Sequence, residues 1–505
     1  MSLAALARSV FAVGFDGSNA GDAPLDELRA FAPGAIVLFG RNAGAGTALQ
    51  ELIAELRAAG TPPPLIAVDQ EGGRVARIGA PVAALPAAMA IGATRDVDAC
   101  ERLGILLGRD LARLGISVDF APVADCAVDP ENTVIGTRSF GSDPVLVARF
   151  AAAFARGLEA GGVASTLKHF PGHGSTAVDS HLALPHVRAG EAELRARDLL
   201  PFAAAISEGA AQVVMVAHVV VEALDDRRPA SLSPRILTGL LRDELGFAGV
   251  ACTDDLEMAA IAHDPGTVPG AVAALAAGAD LLLVSHSLPL ARAAADAVAA
   301  AVEAGTIPRQ RLLEAARRVG ALRRRYAVLR PFAGAVDAAL PLDVARRAIT
   351  VLRGAFRLRA DRPVTVISFE GVEFDGAGGT RPERASLSAA LRVRRWKSEV
   401  MRVALDPAAD DVDLLLAHLP ALGDRNFVVT VRRAQAHLAQ RTAVEQILAL
   451  VPDAAIVSVA EPYDAALWPR ARTVACIYGD DELAFAACAD VLSGRAAADG
   501  RLPLT

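Results

Sequence analysis

The feature that most constrains the fold of this 505-residue chain is a pattern repeated eight times within its first 330 residues. A short apolar or β-branched run ends in polar residues or glycine, and an alanine-rich stretch with apolar residues at helical spacing follows. Continuous apolar runs are typical of parallel strands that helices cover on both faces. The eight runs are 10–16, 35–40, 65–69, 117–121, 165–170, 212–218, 249–254 and 280–285.

Eight such units predict a (β/α)₈ barrel of the TIM type over residues 1–330. A doubly wound open sheet is the alternative, but no Gly-x-Gly-x-x-Gly motif follows the first run. A linker is expected at 331–342, and a smaller α/β sandwich domain at 343–505. Its predicted strands are 364–369, 413–418, 427–431, 455–459 and 474–477, and its predicted helices include 435–451 and 483–492.

Polar side chains stand at the carboxyl end of several predicted barrel strands. Asp69, the pair Lys168-His169, His218, Asp254 and the pair Ser285-His286 each end a run. Barrel enzymes carry their active sites on this rim, where polar groups stay hydrated instead of being buried without partners. The sequence therefore predicts a functional site at that end of the barrel.

The segment 168–181 (KHFPGHGSTAVDSH) concentrates chemistry that is scarce elsewhere in the chain. It holds three of the nine histidines and one of only two lysines, whereas 49 of the 51 basic residues are arginine. Gly172 and Gly174 flank His173 and allow loop conformations. At its end, Asp179 can accept the imidazole N–H of His181, which would fix the tautomer and raise its pKa for acid–base work. The pattern alone is equally compatible with a His181 that Asp179 only holds in place, without a catalytic role.

A second candidate is the acidic pair Asp254-Asp255 at the end of the seventh run. Adjacent strand residues point to opposite faces, so at most one carboxylate faces the barrel axis, and Asp254 is the better candidate. Asp255 would cap a helix that begins at Leu256. Two helix-capping acids without catalytic function are the alternative reading of this pair.

Two further segments are interpreted as binding loops. The first runs from Asp69 through Gly72-Gly73 to Arg74 and Arg77, and the second surrounds Arg138. Buried Asp–Arg pairs that brace the rim are the alternative for both.

Composition limits the partners and cofactors. The net charge is −7 and no long basic run occurs, which disfavours nucleic acid or an anionic membrane surface as the main partner. Five cysteines lack Cys-x-x-Cys spacing, and the four-residue spacing of His169 and His173 would bind metal only on a helix, which Pro171 prevents. We therefore expect no metal and no other cofactor.

The N-terminus has no signal-peptide pattern and the apolar runs are too short to span a bilayer, so a cytoplasmic location is expected.

The strings Lys-His-Phe-Pro-Gly-His-Gly…Asp-Ser-His, Val-Asp-Gln-Glu-Gly-Gly-Arg-Val and Thr-Asp-Asp-Leu resemble, in sequence and in order, those of the family 3 glycoside hydrolases. The resemblance is to the bacterial β-N-acetylglucosaminidase branch and covers about residues 5–330. The ending Gly494-Arg495…Gly500-Arg501-Leu-Pro-Leu is similar to the tail of the family's sandwich domains.

The resemblance implies a retaining, exo-acting β-N-acetylglucosaminidase that removes non-reducing-end N-acetylglucosamine through a covalent glycosyl-aspartate. Asp254 matches the family nucleophile, and His181, assisted by Asp179, matches the acid/base of this branch. An oligosaccharide substrate, muropeptides of cell-wall recycling in particular, and a monomer or weak homodimer are expected. The positions implied to contact or line the sugar site are Asp69, Arg77, Arg138, Lys168, His169, Met215 and His218.

Three alternatives stay open at this point. A family 3 β-glucosidase would take its acid/base glutamate from the second domain. A β-N-acetylglucosaminide phosphorylase would use phosphate in place of water, since a histidine does not repel phosphate as a carboxylate does. A catalytically silent sugar-binding module is the non-enzymatic alternative, although a binder needs neither Asp254 nor His181.

Overall fold

The structure, a computed structural model, describes residues 2–44, 47–176, 184–371 and 385–504. Eight parallel strands form a closed barrel in the first part of the chain, and all eight predicted strands are confirmed. They are β1 Phe11–Val13, β2 Ala35–Leu38, β3 Leu65–Val68, β4 Val118–Asp119, β5 Thr166–Phe170, β6 Val213–Val216, β7 Val250–Thr253 and β8 Leu282–Val284.

The order of pairing shows how the barrel closes. β8 pairs with β1, and β1 to β4 follow side by side. β5, β6 and β7 form the other arc. Parallel bridges join the arcs, Val118 with Ala164 between β4 and β5 and Cys252 with Leu281 between β7 and β8. Because every barrel strand is parallel, all eight carboxyl ends meet on one rim.

Helices surround the barrel because one stripe of each is apolar. In Val97–Leu114, for example, Leu103, Leu107 and Leu111 recur at a spacing of four and are all buried. The helices of this part are Leu3–Arg8, Leu25–Phe31, Ala48–Arg57, Ala88–Ala93, Val97–Leu114, Pro144–Gly161, Glu191–Ala196, Leu200–Ser207, Ala259–Ala262, Thr267–Ala277, Leu288–Glu303 and Arg309–Arg325, together with a π-helical segment at Arg235–Glu244.

The barrel interior is packed with side chains. Alternate strand residues such as Val37, Met215 and Cys252 fill it, and Val319 and Tyr326 from the last helix and its C-cap pack against them. A packed interior leaves no pore, so a ligand of this barrel would bind on its carboxyl rim.

The second part of the chain contains a six-stranded sheet in the order β9-β14-β13-β12-β10-β11. All neighbours are parallel except β9, which runs antiparallel to β14 at one edge. The strands are β9 Thr350–Arg353, β10 Val364–Glu370, β11 Ser398–Ala404, β12 Asn426–Val431, β13 Ala455–Ser458 and β14 Thr473–Cys476.

Helices cover both faces of this sheet, which makes it a three-layer sandwich. They are Leu340–Ala348, Leu387–Val393, Ala409–His418, Leu438–Leu450 and Glu482–Leu492. Alternate residues of one strand belong to separate apolar clusters: Val429 lies on one face and Val428 on the other. The Val429 face continues into the barrel through Met89, Ala90 and Ala127, so the two parts share an apolar contact.

Some sequence predictions for the second part are wrong. The predicted strand 413–418 lies in the helix Ala409–His418, where Val412 and Leu415 are buried and Leu414 is 74% exposed, a period of three to four rather than two. Strands β9 and β11 were not predicted, because both are edge strands with charged, partly exposed residues. The predicted linker 331–342 overlaps the start of the helix Leu340–Ala348, and the domain boundaries stay a prediction.

Two smaller differences concern the barrel helices. The predicted helix 191–207 is divided in two, and the second piece begins at Leu200 with Pro201 in its first turn. No helix begins at Leu256, so the expected helix cap at Asp255 is wrong; its Oδ1 instead accepts the Glu257 N–H within a turn. In the described part of the chain, no helix is long and apolar enough to cross a membrane.

Candidate active site

Lys168 lies at the centre of a charged cluster on the barrel rim. Its Nζ is 2.6 Å from Asp69 Oδ1 and 2.5 Å from Glu71 Oε1, and its side chain is only 2% exposed. Burial acts to lower the pKa of Lys168, but the charges of Asp69 and Glu71 outweigh it and raise the pKa above its ordinary value. Lys168 is therefore a fixed ammonium, held at the end of β5 by two carboxylates that follow β3.

Glu71 joins Lys168 to the second rim cation, Arg138. The guanidinium donates to both carboxylate oxygens, over 2.9 Å and 2.8 Å, in the two-pronged geometry that arginine makes with carboxylates. Burial acts to raise the pKa of Glu71, but the charges of Arg138 and Lys168 hold it well below its usual range. The carboxylate therefore stays ionised and fixes the spacing of the two cations.

His169 lies between Arg138 and Asp125 and so extends the cluster to a further carboxylate. Its Nε2 lies 3.2 Å from Arg138 Nη2 and its Nδ1 lies 2.7 Å from Asp125 Oδ2. Because a guanidinium only donates, we assign Nε2 as the acceptor and Nδ1–H as the donor to Asp125. The ring is thus held in one tautomer by partners on both sides.

Asp125 organises the start of the His-rich loop. This fully buried carboxylate also accepts the backbone N–H groups of His169 and His173, at 3.1 Å and 2.7 Å. Burial acts to raise its pKa, but His169 and His173 lower it below the ordinary value. An ionised Asp125 therefore anchors both the ring of His169 and the backbone on which His173 stands.

His173 is not suited to proton transfer near neutral pH. Burial and then the neighbouring His169 lower its pKa to about 4, against the charges of Asp125 and Asp254. Its Nδ1 lies 2.7 Å from the Thr176 hydroxyl. The ring is therefore neutral at pH 7.

Asp254 follows β7 directly and is half-buried at the rim. Its backbone N–H donates to Val216 O, and its Oδ1 accepts the Asp255 N–H at 2.8 Å. Asp255 is more deeply buried; its Oδ2 accepts the Ser285 hydroxyl, and burial raises its pKa to about 7 despite that hydrogen bond. Of the two adjacent acids, only Asp254 combines the end of a barrel strand with access to solvent.

The remaining predicted site residues lie around this cluster. Arg77 is half-buried and follows the short ribbon Gln70–Gly72 with Val75–Ala76; its N–H donates to Gln70 Oε1. Met215 is in the packed barrel interior, and His218 is fully buried with Nε2 2.9 Å from Asp255 O and Nδ1 2.7 Å from Ser231 Oγ. Their roles in lining the site stay predictions. Asp179 and His181 lie outside the described residues.

Two residues of the cluster were not predicted from the sequence as site residues. Glu71 stands two residues after Asp69, the spacing that puts side chains on one side of an extended segment. Asp125 carries a different signal: it is a single acid in the apolar stretch 120–128, and a charge buried there needs a partner.

The geometry defines a parallel barrel with acidic and basic groups converging on its carboxyl rim, the arrangement of a barrel enzyme whose site can bind a polar ligand through charged hydrogen bonds. Within residues 2–44, 47–176, 184–371 and 385–504, no group of three or more His, Cys, Asp or Glu side chains could hold a metal ion. The family model for the glycosyl hydrolase family 3 N terminal domain matches residues 21–322. The chain belongs to this family and is a glycoside hydrolase.

Individual relatives agree with this assignment. The chain is 43% identical to a beta-hexosaminidase of Stenotrophomonas maltophilia (strain R551-3) over 268 residues. This aligned region covers 52% of this chain and 78% of that protein. The structure of a family 3 beta-N-acetylglucosaminidase from Paenibacillus sp. str. FPU-7 is similar over 100% of this chain and 99% of that chain, with 34% identity and a TM-score of 0.92. The structure of a beta-N-acetylhexosaminidase from Beutenbergia cavernae DSM 12333 covers 64% of this chain and 99% of that chain, with 33% identity and a TM-score of 0.59.

Proposed function

We propose that this glycoside hydrolase is a retaining, exo-acting β-N-acetylglucosaminidase with Asp254 as its nucleophile. The observation that carries the proposal is the fixed cluster of Asp69, Lys168, Arg138 and His169 on the rim where Asp254 stands. The relatives from Stenotrophomonas, Paenibacillus and Beutenbergia are named beta-hexosaminidase, beta-N-acetylglucosaminidase and beta-N-acetylhexosaminidase. Together they favour this substrate class over other glycosides.

The cluster suits recognition of a terminal sugar. Lys168 and Arg138 present N–H donors, and Asp69, whose side chain is 19% exposed, presents acceptor oxygens. All are held in place by partners before a sugar arrives, so little order has to be gained on binding. We assign them to the hydroxyl groups of a non-reducing-end N-acetylglucosamine.

The proposed reaction has two steps. In the first, Asp254 attacks the anomeric carbon while His181 donates a proton to the departing glycosidic oxygen. In the second, His181 takes a proton from water, which attacks the anomeric carbon, releases Asp254 and restores the starting configuration. Asp179 would accept the other imidazole N–H of His181 and keep the ring in the required tautomer.

Glu461 is not suited to be the proton donor that the β-glucosidase alternative takes from the second domain. This carboxylate follows β13 and lies at the barrel contact. Burial acts to raise its pKa, but the charges of Arg433 and Arg74 lower it below the ordinary value. A glutamate that stays ionised is a poor acid, which disfavours Glu461 as the donor.

A labelling experiment tests the nucleophile. The enzyme is incubated with a slow 5-fluoro N-acetylglucosaminide, digested, and the modified peptide is located by mass spectrometry. We expect the label on Asp254, and Asp254→Asn should lose on the order of 10⁴-fold in kcat. Asp243→Asn, an exposed carboxylate on the segment Arg235–Glu244, is the matched control and should keep full activity. A label on any other residue would remove the proposal.

A second pair of variants tests the acid/base. His181→Ala should slow substrates with poor leaving groups far more than activated aryl glycosides, because only the former need protonation. His186→Ala, which removes an exposed histidine paired with Glu222, is the control. Product analysis with and without phosphate separates hydrolysis from phosphorolysis: we expect free N-acetylglucosamine in both, and a sugar 1-phosphate would establish the phosphorylase.

We propose muropeptides of cell-wall recycling as the natural substrates. Comparison of kcat/KM for a disaccharide muropeptide with that for chitobiose tests this point. A clear preference for chitobiose would contradict it and leave the N-acetylglucosaminidase activity untouched.

A further inference from the structure

The segment 129–138, called here the rim loop, determines where Arg138 stands. It follows β4 and contains Asn132, whose Nδ2 donates to His173 O at 2.8 Å and whose Oδ1 accepts the N–H groups of Val134 and Ile135. At its end, Arg138 Nη1 donates back to Val134 O at 3.0 Å. The fold of this loop thus fixes both the Arg138 guanidinium and the backbone of His173.

Arg74 holds the rim loop from outside the sugar site. Its Nη2 lies 2.8 Å from Thr133 O and 2.7 Å from Val134 O, with Ile135 O at 3.3 Å. Three carbonyl oxygens directed at one nitrogen repel one another, so this turn depends on the positive charge at its centre.

Glu461 of the second part of the chain lies against the same loop. It is 7% exposed, and its Oε2 is 3.2 Å from Arg433 Nε. Its Oε1 lies where a side chain of residue 136 would be: a β-carbon on Gly136 would come within 2.1 Å of it, and Gly136 has a φ of +43°. The carboxylate is therefore in direct contact with the loop backbone, at a position that only glycine leaves open.

The charges around Glu461 come from both parts of the chain. Arg433, which pairs with it, also reaches Thr133 O at 3.4 Å. Arg74 is the barrel cation whose charge acts on Glu461. One buried carboxylate thus pairs with Arg433 and interacts electrostatically with Arg74, the two arginines that meet the rim loop. Removal of its charge would leave the Arg433 guanidinium partly uncompensated.

We propose that Glu461 is a positioning residue of the sugar site: from the second domain, it contacts the rim loop at Gly136, holds Arg433 against that loop and so sets the place of Arg138. The proposal rests on the proposed function, because it takes Arg138 as a sugar-binding group. A second domain that only stabilised the barrel would not affect substrate affinity at temperatures where the protein is folded.

The test uses the full-length chain with Glu461→Gln. Under the proposed function, Arg138 contacts the sugar in the substrate complex and in the transition state. Its displacement therefore weakens binding in both equally and raises KM without changing kcat. We expect KM for an aryl β-N-acetylglucosaminide and Ki for N-acetylglucosamine to rise together by about 3- to 30-fold. The kcat should stay within about twofold of the wild-type value, since the loss is one of uniform binding.

The matched control is Asp490→Asn. Asp490 is also a buried carboxylate of the second domain between two arginines, Arg346 and Arg394, but both belong to that domain. Its loss should lower the unfolding midpoint and leave KM unchanged. A Glu461→Gln enzyme that behaves in the same way, less stable but with wild-type KM and Ki, overturns the inference.

Two further results separate the possible failures. If Glu461→Gln does not fold, Arg433→Gln removes the partner charge from the same contact, and it should raise KM; an unchanged KM there also overturns the inference. If the wild-type chain hydrolyses no N-acetylglucosaminide, the proposed function fails. If the wild-type chain hydrolyses the substrate and the variants have the wild-type KM, only the proposed role of Glu461 is refuted.

Discussion

Replacement of Lys168 by arginine, the basic residue this chain uses at 49 of 51 positions, should disable the site. The ammonium lies between Asp69 and Glu71 in a space that leaves its side chain 2% exposed. Glu71 already receives both prongs of Arg138. A second planar guanidinium therefore needs room and acceptor geometry that the cluster does not offer.

The magnitude follows from two effects. Forcing a larger group into a packed site costs about 1–3 kcal/mol of folding free energy. Loss of one charge-assisted hydrogen bond to the sugar costs about 1.5–3 kcal/mol of transition-state binding. The second figure corresponds to a decrease in kcat/KM of about 10- to 150-fold.

The assay compares Lys168→Arg with Lys397→Arg, the same substitution at the only other lysine of the chain, which is exposed just before β11. kcat/KM is measured with an aryl β-N-acetylglucosaminide, and stability by urea unfolding. Lys397→Arg should match the wild type in both. A Lys168→Arg enzyme within twofold of wild-type kcat/KM would refute the idea that the rim needs a compact ammonium here.

Three other predictions concern the carboxylates and histidines around this cluster. Asp125→Asn should lower kcat/KM by about tenfold or more, because His169 loses the ionised acceptor that fixes its tautomer, and the ring's NMR signals should report the change; unchanged signals would contradict it. The pKa of Asp255 is raised to about 7, so its contribution to stability is present below about pH 4 and is lost as the pH rises through 7. The free energy of unfolding of Asp255→Asn, relative to that of the wild type, should therefore be higher at pH 8 than at pH 4 by up to about 4 kcal/mol. The same difference at both pH values would contradict the raised pKa of Asp255. The pKa of His173 is lowered to about 4, so an NMR titration should find it neutral down to about pH 5, and a midpoint near 6.5 would show that the ring is not buried as described.

The strand prediction succeeded in the barrel and partly failed in the second domain for one physical reason. Barrel strands are buried on both faces and are read from the sequence as apolar runs, such as Leu65–Val68. The edge strand Ser398–Ala404 is partly exposed and charged, and the helix Ala409–His418 includes an apolar run of the same length as a strand. Periodicity over six residues could not separate these cases.

Of the site, the sequence indicated the residue types and their place on the rim. Lys168, Asp69 and Asp254 were candidates because each follows or ends an apolar run. Their partners could not be inferred in the same way. Nothing in the order of residues states that Glu71 rather than Asp69 pairs with Arg138, or that Asp125 holds the His-rich loop; those pairings depend on distances between different strands.

The amino-acid sequence by itself determined the barrel, its polar rim and the family, because local patterns of apolar and polar residues decide which segments become strands and where each ends. Only the tertiary structure decided which charges meet. It set Lys168 between two carboxylates, kept His173 neutral through burial, and brought Glu461 from more than 300 residues away against the turn at Gly136. The reason is that the strength of a charge interaction depends on distance and on exclusion of water, and neither is fixed until the chain has closed on itself.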